Sequence, residues 1–204
     1  MTINFFKHDA TAKILFILYI ILFIWGSIRP FDRVDWWAEN IPIVAVFLTL
    51  VILYVKGIRL TATAYALMSV LLCLHTIGGH YTFERVPFSF VDNLFGFKRN
   101  MYDRFAHFSV GLYAYAFTEL LVLKKSVNSK LVLFLYPIFA VAFIAMSYEL
   151  LEWWFAVSYG GDSGANFLGS QGDIWDAQKD MLCDTLGGIF ATLLYFWYQR
   201  PKLK

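Results

Sequence analysis

Apolar residues occur along this chain in six long blocks, and most polar residues lie between the blocks or at their ends. About 17–25 apolar residues in a helix are enough to cross the hydrocarbon core of a membrane. The blocks predict membrane-spanning helices near residues 12–28, 42–56, 61–79, 104–123, 131–155 and 179–198. We therefore predict an all-α integral membrane protein, a bundle of six transmembrane helices that forms a single domain over residues 1–204.

A polar segment at residues 83–100 separates the third and fourth blocks. It mixes aromatic with charged residues and contains Pro87 and Gly96. Such a segment is too polar to span a membrane, but it can lie along the membrane surface or be buried against protein. We expect residues 83–100 to lie at the interface or to re-enter the protein.

The composition agrees with a membrane protein and narrows the classes of partner. Hydrophobic residues make up 59% of the chain and aromatic residues 20%, whereas a soluble domain is about 45–50% apolar. Tryptophan and tyrosine are typical of the membrane–water interface. The sequence has no basic stripe of the kind that binds nucleic acid. Membrane lipid is therefore an expected partner, and nucleic acid is not.

The distribution of charge predicts the orientation of the six spans. An even number of spans places both ends of the chain on one side of the membrane. Among the 17 Lys and Arg residues, those on this side are Lys7, Lys13, Lys56, Arg59, Lys124, Lys125, Lys130, Arg200, Lys202 and Lys204. The acids on this side are Asp9 and Glu119. Lys and Arg are enriched on the cytoplasmic side, so we predict that both termini are cytoplasmic.

In this topology, the polar residues near membrane depth collect at the extracytoplasmic ends of the last four spans. They are His75, His80, Glu84, Arg85, Asp103, Arg104, His107, Glu149, Glu152, Asp176, Asp180 and Asp184. If these four helices pack together, they form one acidic pocket with three of the chain's four histidines. Convergent titratable groups in a pocket are typical of a functional site.

The spacing of the acids in the last block strengthens this interpretation. Asp173, Asp176, Asp180 and Asp184 follow one another at intervals of three and four residues, which places them on one face of a helix. A solvated, dipole-favoured helix N-terminus is the structural alternative, and it suits Asp173 best. Asp184 lies too far into the apolar block for that explanation, because ionisable groups at membrane depth are costly.

Histidine together with carboxylates is a plausible ligand set for a divalent metal such as zinc. We take His75, His80, His107 and Asp184 as the metal-ligand candidates. Glu149 or Asp180 is the candidate general base, and Arg85 or Arg104 could hold a phosphate. Further pocket candidates are Asp103, Glu84, Glu152 and Asp176. The alternative is structural: hydrogen-bonded histidines, and arginines that neutralise the carboxylates as buried ion pairs.

Four stretches of the chain carry a family resemblance. They are HTIGGHYTFERVP, YDRFAHFSVG, YELLEW and GDIWDAQKDMLCDTLGG. Together they resemble the bacterial inner-membrane family known as domain of unknown function 2238 (DUF2238), over nearly the whole chain. The resemblance implies a multi-pass protein of the bacterial cytoplasmic (inner) membrane, without implying a reaction.

A weaker resemblance is to VanZ-like membrane proteins, which are associated with teicoplanin resistance. Their pattern has Asp-Lys followed by His, then Glu-x-x-Gln, then Asp followed by Asn and Gly. Here Asp103-Arg104 with His107 matches the first part, and Glu149 with Glu152 matches the second except that Glu replaces Gln. Asp180 and Asp184, ahead of Gly187, match the third with Asp in place of Asn. The resemblance implies a shared outward-facing pocket and no reaction. Both departures add negative charge, which favours a bound cation here and weakens a direct transfer of VanZ-like function.

Three functions stay open on the sequence. The leading hypothesis is a membrane-embedded, metal-dependent hydrolase or transferase that acts on a lipid or lipid-linked envelope substrate at the extracytoplasmic face. The second is a non-catalytic multi-pass protein whose pocket binds a lipid headgroup, a cation or a partner protein. The third is a small transporter with the acidic cluster as its outer vestibule.

The topology can be tested with reporter fusions. A reporter that is active only in the cytoplasm should be active when fused after residue 204, because the excess of Lys and Arg keeps that side inside. The matched control is the same reporter inserted in the segment 83–100, where it should be inactive. A C-terminal fusion that is active only as an extracytoplasmic reporter would contradict the predicted orientation.

Overall fold

The structure is a computed structural model that describes residues 5–159 and 170–201 of the 204-residue chain. Within those residues it is all-helical. The helices are α1 (Phe5–Ser27), α2 (Arg33–Val55), α3 (Ala62–Tyr81), α4 (Ser89–Phe95), α5 (Tyr102–Gly111), α6 (Tyr113–Leu123), α7 (Lys130–Tyr159) and α8 (Asp176–Gln199). Lys202 and Lys204, which contribute to the predicted charge asymmetry, lie outside the described residues.

Six helical stretches are long and apolar enough to cross a membrane, which confirms the predicted all-α fold with six spans. The fourth span consists of α5 and α6 together, which meet at Leu112. Large apolar side chains on α7, such as Phe139, Phe143 and Trp154, are exposed. Such a surface suits contact with lipid, because exposed apolar patches of this size are unusual on a soluble monomer.

The second span is longer than its apolar block. The block begins near residue 42, but α2 begins at Arg33. The carboxylate of Asp32 accepts hydrogen bonds from the backbone N–H groups of Val34 (2.7 Å) and Asp35 (3.0 Å), and so caps the helix. Such a cap satisfies backbone donors that have no partner inside the helix. The predicted start of the second span near residue 42 is therefore too late, since charged residues form the first turns of α2.

The described chain divides into two compact units, with the boundary after Pro87. The first unit contains α1, α2 and α3, with α3 packed against both of the others. The Tyr19 hydroxyl lies 3.3 Å from Thr76 Oγ1 between α1 and α3, and Gly79 of α3 packs on Asn40 of α2. The prediction of a single domain over residues 1–204 stays a prediction.

The second unit contains α4 to α8, and α8 packs against α5, α6 and α7. The contact between α5 and α8 brings backbone against backbone. A Cβ atom added at Gly111 would meet the backbone of Asp184 and Gly188, and one added at Gly187 would meet the carbonyl oxygen of Phe108. Small residues allow membrane helices to approach this closely. These glycines therefore set the distance at which α5 and α8 face each other.

Helix α4 lies within the predicted interfacial segment 83–100, in the part of that segment that belongs to the second unit. Three apolar side chains on this short helix are exposed: Phe90 (79%), Leu94 and Phe95. Asp92 is buried on the same helix, and its Oδ1 accepts a hydrogen bond from the backbone N–H of Met101 at 3.0 Å. An amphipathic helix of this kind suits a position at the membrane surface, and that location stays a prediction.

The two neighbouring glycines of α8 provide a matched test of the close contact. The Gly187→Ala change should lower the free energy of unfolding by about 1–3 kcal/mol, because the methyl group meets the backbone of α5. The Gly188→Ala change is the control. Its Cβ would meet Val141 at an ordinary 3.7 Å, and alanine stabilises a helix interior by about 0.5–1 kcal/mol over glycine.

Thermal unfolding of both variants in the same detergent would measure the difference. Equal melting temperatures for Gly187→Ala and wild type would contradict a backbone contact at this position.

Candidate functional site

The candidate site lies in the second unit, where α5 faces α8 and the turn that precedes it. Its side chains, here called the α5–α8 cluster, are Asp103, Arg104, His107, Asp173, Asp176, Asp180 and Asp184. The i, i+4 spacing on both helices puts these groups on facing surfaces. The predicted acidic stripe therefore faces a basic residue and a histidine.

Arg104 is enclosed by carboxylates. Its guanidinium donates through Nη1 to Asp180, and to Asp103 Oδ2 at 3.3 Å. Through Nη2 it donates to Asp176, and to Asp173 Oδ2 at 3.4 Å. The residue is 6% exposed. Because the planar guanidinium can serve several oxygens at once, one buried cation compensates part of the charge of four acids.

His107 lies near three carboxylates, two of which also contact Arg104, and its two ring nitrogens face different ones. Nδ1 lies 3.3 Å from Asp184 Oδ2, within hydrogen-bond distance. Nε2 lies 3.6 Å from Asp103 Oδ1 and 3.7 Å from Asp180 Oδ1, which is beyond hydrogen-bond distance. One ligand atom from each of Asp103, His107 and Asp180 fits within a 4.8 Å separation. This arrangement could hold a metal ion between Nε2 and the two carboxylates.

The edge of the cluster is a network of surface ion pairs around Asp173. Its Oδ2 accepts from Lys179 Nζ at 2.7 Å and from Arg99 Nη1 at 2.9 Å. Arg99 Nη1 also donates to Asp176 Oδ1 at 3.2 Å. The Lys179 hydrogen bond is the main cause that lowers the pKa of Asp173 to about 2. Asp173 is therefore ionised at any physiological pH.

Hydrogen bonds between side chains and backbone groups hold the segment before α5 against the turn before α8. The Gln171 side chain accepts from the Asn100 backbone N–H at 2.9 Å and donates to the Asn100 carbonyl at 3.0 Å. Asp92 holds the next residue, Met101, by its backbone N–H. These bonds fix the start of α5, so Asp103 and Arg104 have a defined position relative to α8.

The cluster carries more negative than positive charge. Its five aspartates and the nearby Glu149 outnumber the three permanent cations, Arg99, Arg104 and Lys179. Glu149 of α7 is 9% exposed, and it is close enough to His107, Asp180 and Asp184 for their charges to act on it. Burial of unpaired charge is costly. The excess of negative charge therefore favours a bound cation or bound protons.

Two buried oxygens of this region have no hydrogen-bond partner among the described residues. They are Asp184 Oδ1 and Glu149 Oε1. Asp184 is 1% exposed and lies beside His107. Buried polar atoms normally have a partner. Two unpartnered acceptors next to a histidine therefore indicate a position for a further ligand, a proton or an ion.

The other predicted site residues lie in the first unit, and each has local contacts there. His75 Nε2 lies 3.0 Å from Glu39 Oε2 and 3.1 Å from the Glu39 carbonyl oxygen. His80 Nδ1 lies 3.0 Å from the carbonyl oxygen of Gly26. Arg85 pairs with Glu84 at 3.6 Å, and both side chains are exposed. The prediction that these residues share one pocket with the second-unit candidates stays a prediction.

Sequence reasoning missed Arg99 and Lys179 as members of this network. Both bind Asp173, and Arg99 also binds Asp176. One observation could have found Arg99: a basic Lys98-Arg99 pair lies just before α5, in a chain whose acids are concentrated at the start of α8. Glu152, in contrast, was taken as a pocket candidate and is half-buried on α7, one turn from Glu149.

Comparison with known proteins agrees with a membrane-spanning architecture. The family described as "Predicted membrane protein (DUF2238)" matches residues 11–201. The chain belongs to this family. It is 37% identical to the inner membrane protein YjdF of Escherichia coli (strain K12) over 187 residues, which cover 90% of this chain and 88% of that protein. No solved structure matches the chain significantly.

These matches confirm the resemblance to the DUF2238 family and the predicted location. With six candidate spans and an inner-membrane relative along nearly its whole length, the chain is a multi-pass protein of the bacterial inner membrane.

Removal of the central cation tests the charge balance of the cluster. The Arg104→Met change should lower the free energy of unfolding by about 3–5 kcal/mol, since it leaves buried carboxylates without their partner. The control is Arg85→Met, which removes an exposed pair and should cost less than about 1 kcal/mol. Unfolding in detergent, followed by tryptophan fluorescence, would measure both.

A second change makes the test specific for charge. Asp180→Asn in the Arg104→Met background should restore part of the lost stability, because it removes one of the uncompensated carboxylates. A double variant that is less stable than Arg104→Met alone would show that electrostatic repulsion is not the cause.

Proposed function

We propose that this protein is a membrane-embedded, metal-dependent hydrolase or transferase that acts on a lipid or lipid-linked envelope substrate at the extracytoplasmic face. The observation that supports the proposal is the approach of His107 Nε2 to carboxylate oxygens of Asp103 and Asp180. The metal is a divalent ion such as zinc, held by these three side chains.

The two separations from His107 Nε2 are close to those in a zinc site. Zinc bonds to nitrogen and carboxylate oxygen are about 2.0–2.1 Å long, so two ligands of a tetrahedral ion lie about 3.3 Å apart. The separations from His107 Nε2 are 3.6 Å and 3.7 Å, and all three ligand atoms lie within 4.8 Å of one another. Three protein ligands leave a fourth position for water, as in catalytic zinc sites.

Asp184 has a different role in this proposal from the one that the sequence predicts. It contacts Nδ1 of His107 at 3.3 Å, on the side away from Asp103 and Asp180. A metal-binding histidine usually donates its other ring N–H to a carboxylate or carbonyl, which fixes the ring orientation. Asp184 therefore orients His107 and presents Nε2 to the metal.

Glu149 is the general base of the proposed reaction. It is buried, has an unpartnered oxygen, and is within range of the charges of His107 and Asp180. A divalent ion held by Asp103, His107 and Asp180 would make a water molecule more acidic. Glu149 would accept a proton from the water that attacks the substrate ester and would return it to the leaving-group oxygen. Asp180, the other candidate base, is already used as a metal ligand and as a partner of Arg104.

The substrate is proposed from the location of the cluster. In the predicted topology, the N-terminal ends of α5 and α8 lie at the extracytoplasmic surface, where lipid headgroups and lipid-linked intermediates are present. Arg104 already binds four carboxylates. A phosphate or carbonyl oxygen of the substrate would therefore bind to the metal rather than to Arg104.

The second candidate is a non-catalytic protein that binds a cation, a lipid headgroup or a partner. The enclosure of Arg104 by four carboxylates favours it, because such a network also holds two helices together. The small transporter is a third possibility that no contact of the cluster specifically favours.

Metal content separates these functions. Purified wild-type protein should contain about one divalent ion per chain by mass spectrometry of the elements, and His107→Ala and Asp180→Asn should lose it, because each removes one of three ligands. Glu149→Gln should keep the ion but lose hydrolysis of reconstituted phospholipids or lipid-linked phosphates. His80→Ala is the control, since Nδ1 of His80 lies 3.0 Å from the carbonyl oxygen of Gly26. This variant should keep the ion and the hydrolytic activity.

The possible outcomes have distinct meanings. A folded wild-type protein without an ion, even after incubation with zinc, manganese and calcium, would refute the metal site and the reaction that depends on it. An ion that is lost in His107→Ala, without turnover of any substrate in wild type, would support the binding protein instead.

A further inference from the structure

The three helices of the first unit line a partly open apolar cavity that the proposed reaction does not use. Its volume is about 460 Å³, within the range of about 300–1,000 Å³ that is typical of ligand pockets. Side chains from all three helices line it, among them Leu15, Phe16, Phe47, Val51, Met68 and Leu72. Since these residues lie within candidate spans, the occupant comes from the membrane.

The lining of the cavity continues for about two turns along each of the three helices. On α1 its lining extends from Ala12 to Tyr19, a distance of about 10 Å at 1.5 Å per residue. The residues at one end are Lys13, Tyr54 and Tyr65, and those at the other are Tyr19 and Leu72. A space with apolar walls that continues for about 10 Å along the helices fits part of a hydrocarbon chain.

One end of the cavity is positively charged. Lys13 lines it and is exposed, and it has no ion-pair partner among the described residues. Arg59 lies 3.7 Å over the ring of Tyr54, another lining residue, and its Nε donates to Asp9 Oδ1 at 2.9 Å. Lys13 and Arg59 together carry one positive charge more than Asp9 neutralises. The ammonium group of Lys13 can therefore bind an anion.

We propose that this cavity binds one acyl chain of an anionic phospholipid, with the lipid phosphate on Lys13. The apolar lining binds the chain, and the basic end selects the headgroup. In the predicted topology this end faces the cytoplasm, where anionic lipids attract Lys and Arg near the surface. The lipid occupies the space between α1, α2 and α3 and supports their packing.

Lipid binding to delipidated protein in detergent, followed by native mass spectrometry, tests the proposal. The probes are phosphatidylglycerol and phosphatidylcholine with the same acyl chains. Wild-type protein should retain one phosphatidylglycerol molecule, with an affinity about fivefold higher than for phosphatidylcholine, from a single lysine contact. The Lys13→Gln change should remove this preference, whereas Lys56→Gln, at an exposed residue that does not line the cavity, should keep it.

A second matched pair of variants tests whether the cavity binds the acyl chain. Val51→Trp fills the cavity and should weaken phosphatidylglycerol binding by at least about tenfold, because it displaces several methylene groups of the chain. Ile52→Trp changes the neighbouring exposed residue outside the lining and should bind like wild type.

Three results would overturn the proposal. The first is equal binding of phosphatidylglycerol to Val51→Trp and Ile52→Trp. The second is equal binding of the two lipids by wild type. The third is a protein dimer that forms without lipid and is lost in Val51→Trp, which would identify a second copy of the chain as the occupant. None depends on the metal site, because His107→Ala should bind phosphatidylglycerol as wild type does.

Discussion

The close contact between α5 and α8 is the constraint on which the polar cluster depends. Gly111 and Gly187 let the two backbones touch, and the polar side chains of the cluster follow from that point at helical intervals. His107 lies one turn before Gly111, and Asp184 lies about one turn before Gly187. Both residues lie on the N-terminal side of the glycine contact, so the His107 ring comes within 3.3 Å of the Asp184 carboxylate. Any residue with a Cβ atom at either glycine would separate the helices and increase these distances.

The same geometry divides the cluster into two chemical parts. Toward the start of the helices, the Arg104 guanidinium binds Asp176 and Asp180 most closely, and it also contacts Asp103 and Asp173. One turn further along α5, Nδ1 of His107 contacts Asp184, and its Nε2 lies near Asp103 and Asp180. Asp180 belongs to both parts. A change in the charge near His107 would therefore alter the ion pair between Asp180 and Arg104. Because that ion pair joins α5 to α8, the packing of the two helices would change as well.

Much of the fold and part of the site could be predicted from the sequence, because both depend on short-range periodicity. Apolar block length predicted six spans, and the intervals between aspartates predicted a charged face on α8. The start of α2 was missed because Arg33 and Asp35 resemble a loop, whereas the Asp32 cap makes a helix possible there. Arg99 and the two-sided contact of His107 depend on the register between helices, which spacing within one helix does not determine.

The number of carboxylates argues that the cluster does more than join two helices. If Arg104 served only for packing, one or two aspartates would satisfy it, and apolar residues of similar size would often stabilise the contact equally well. The protein instead surrounds it with four, and adds His107, Asp184 and Glu149 in the same buried region. Each further acid raises the cost of burial inside a membrane. A bound ion or proton would lower that cost, and this is the physical argument for the proposed ligand of the cluster.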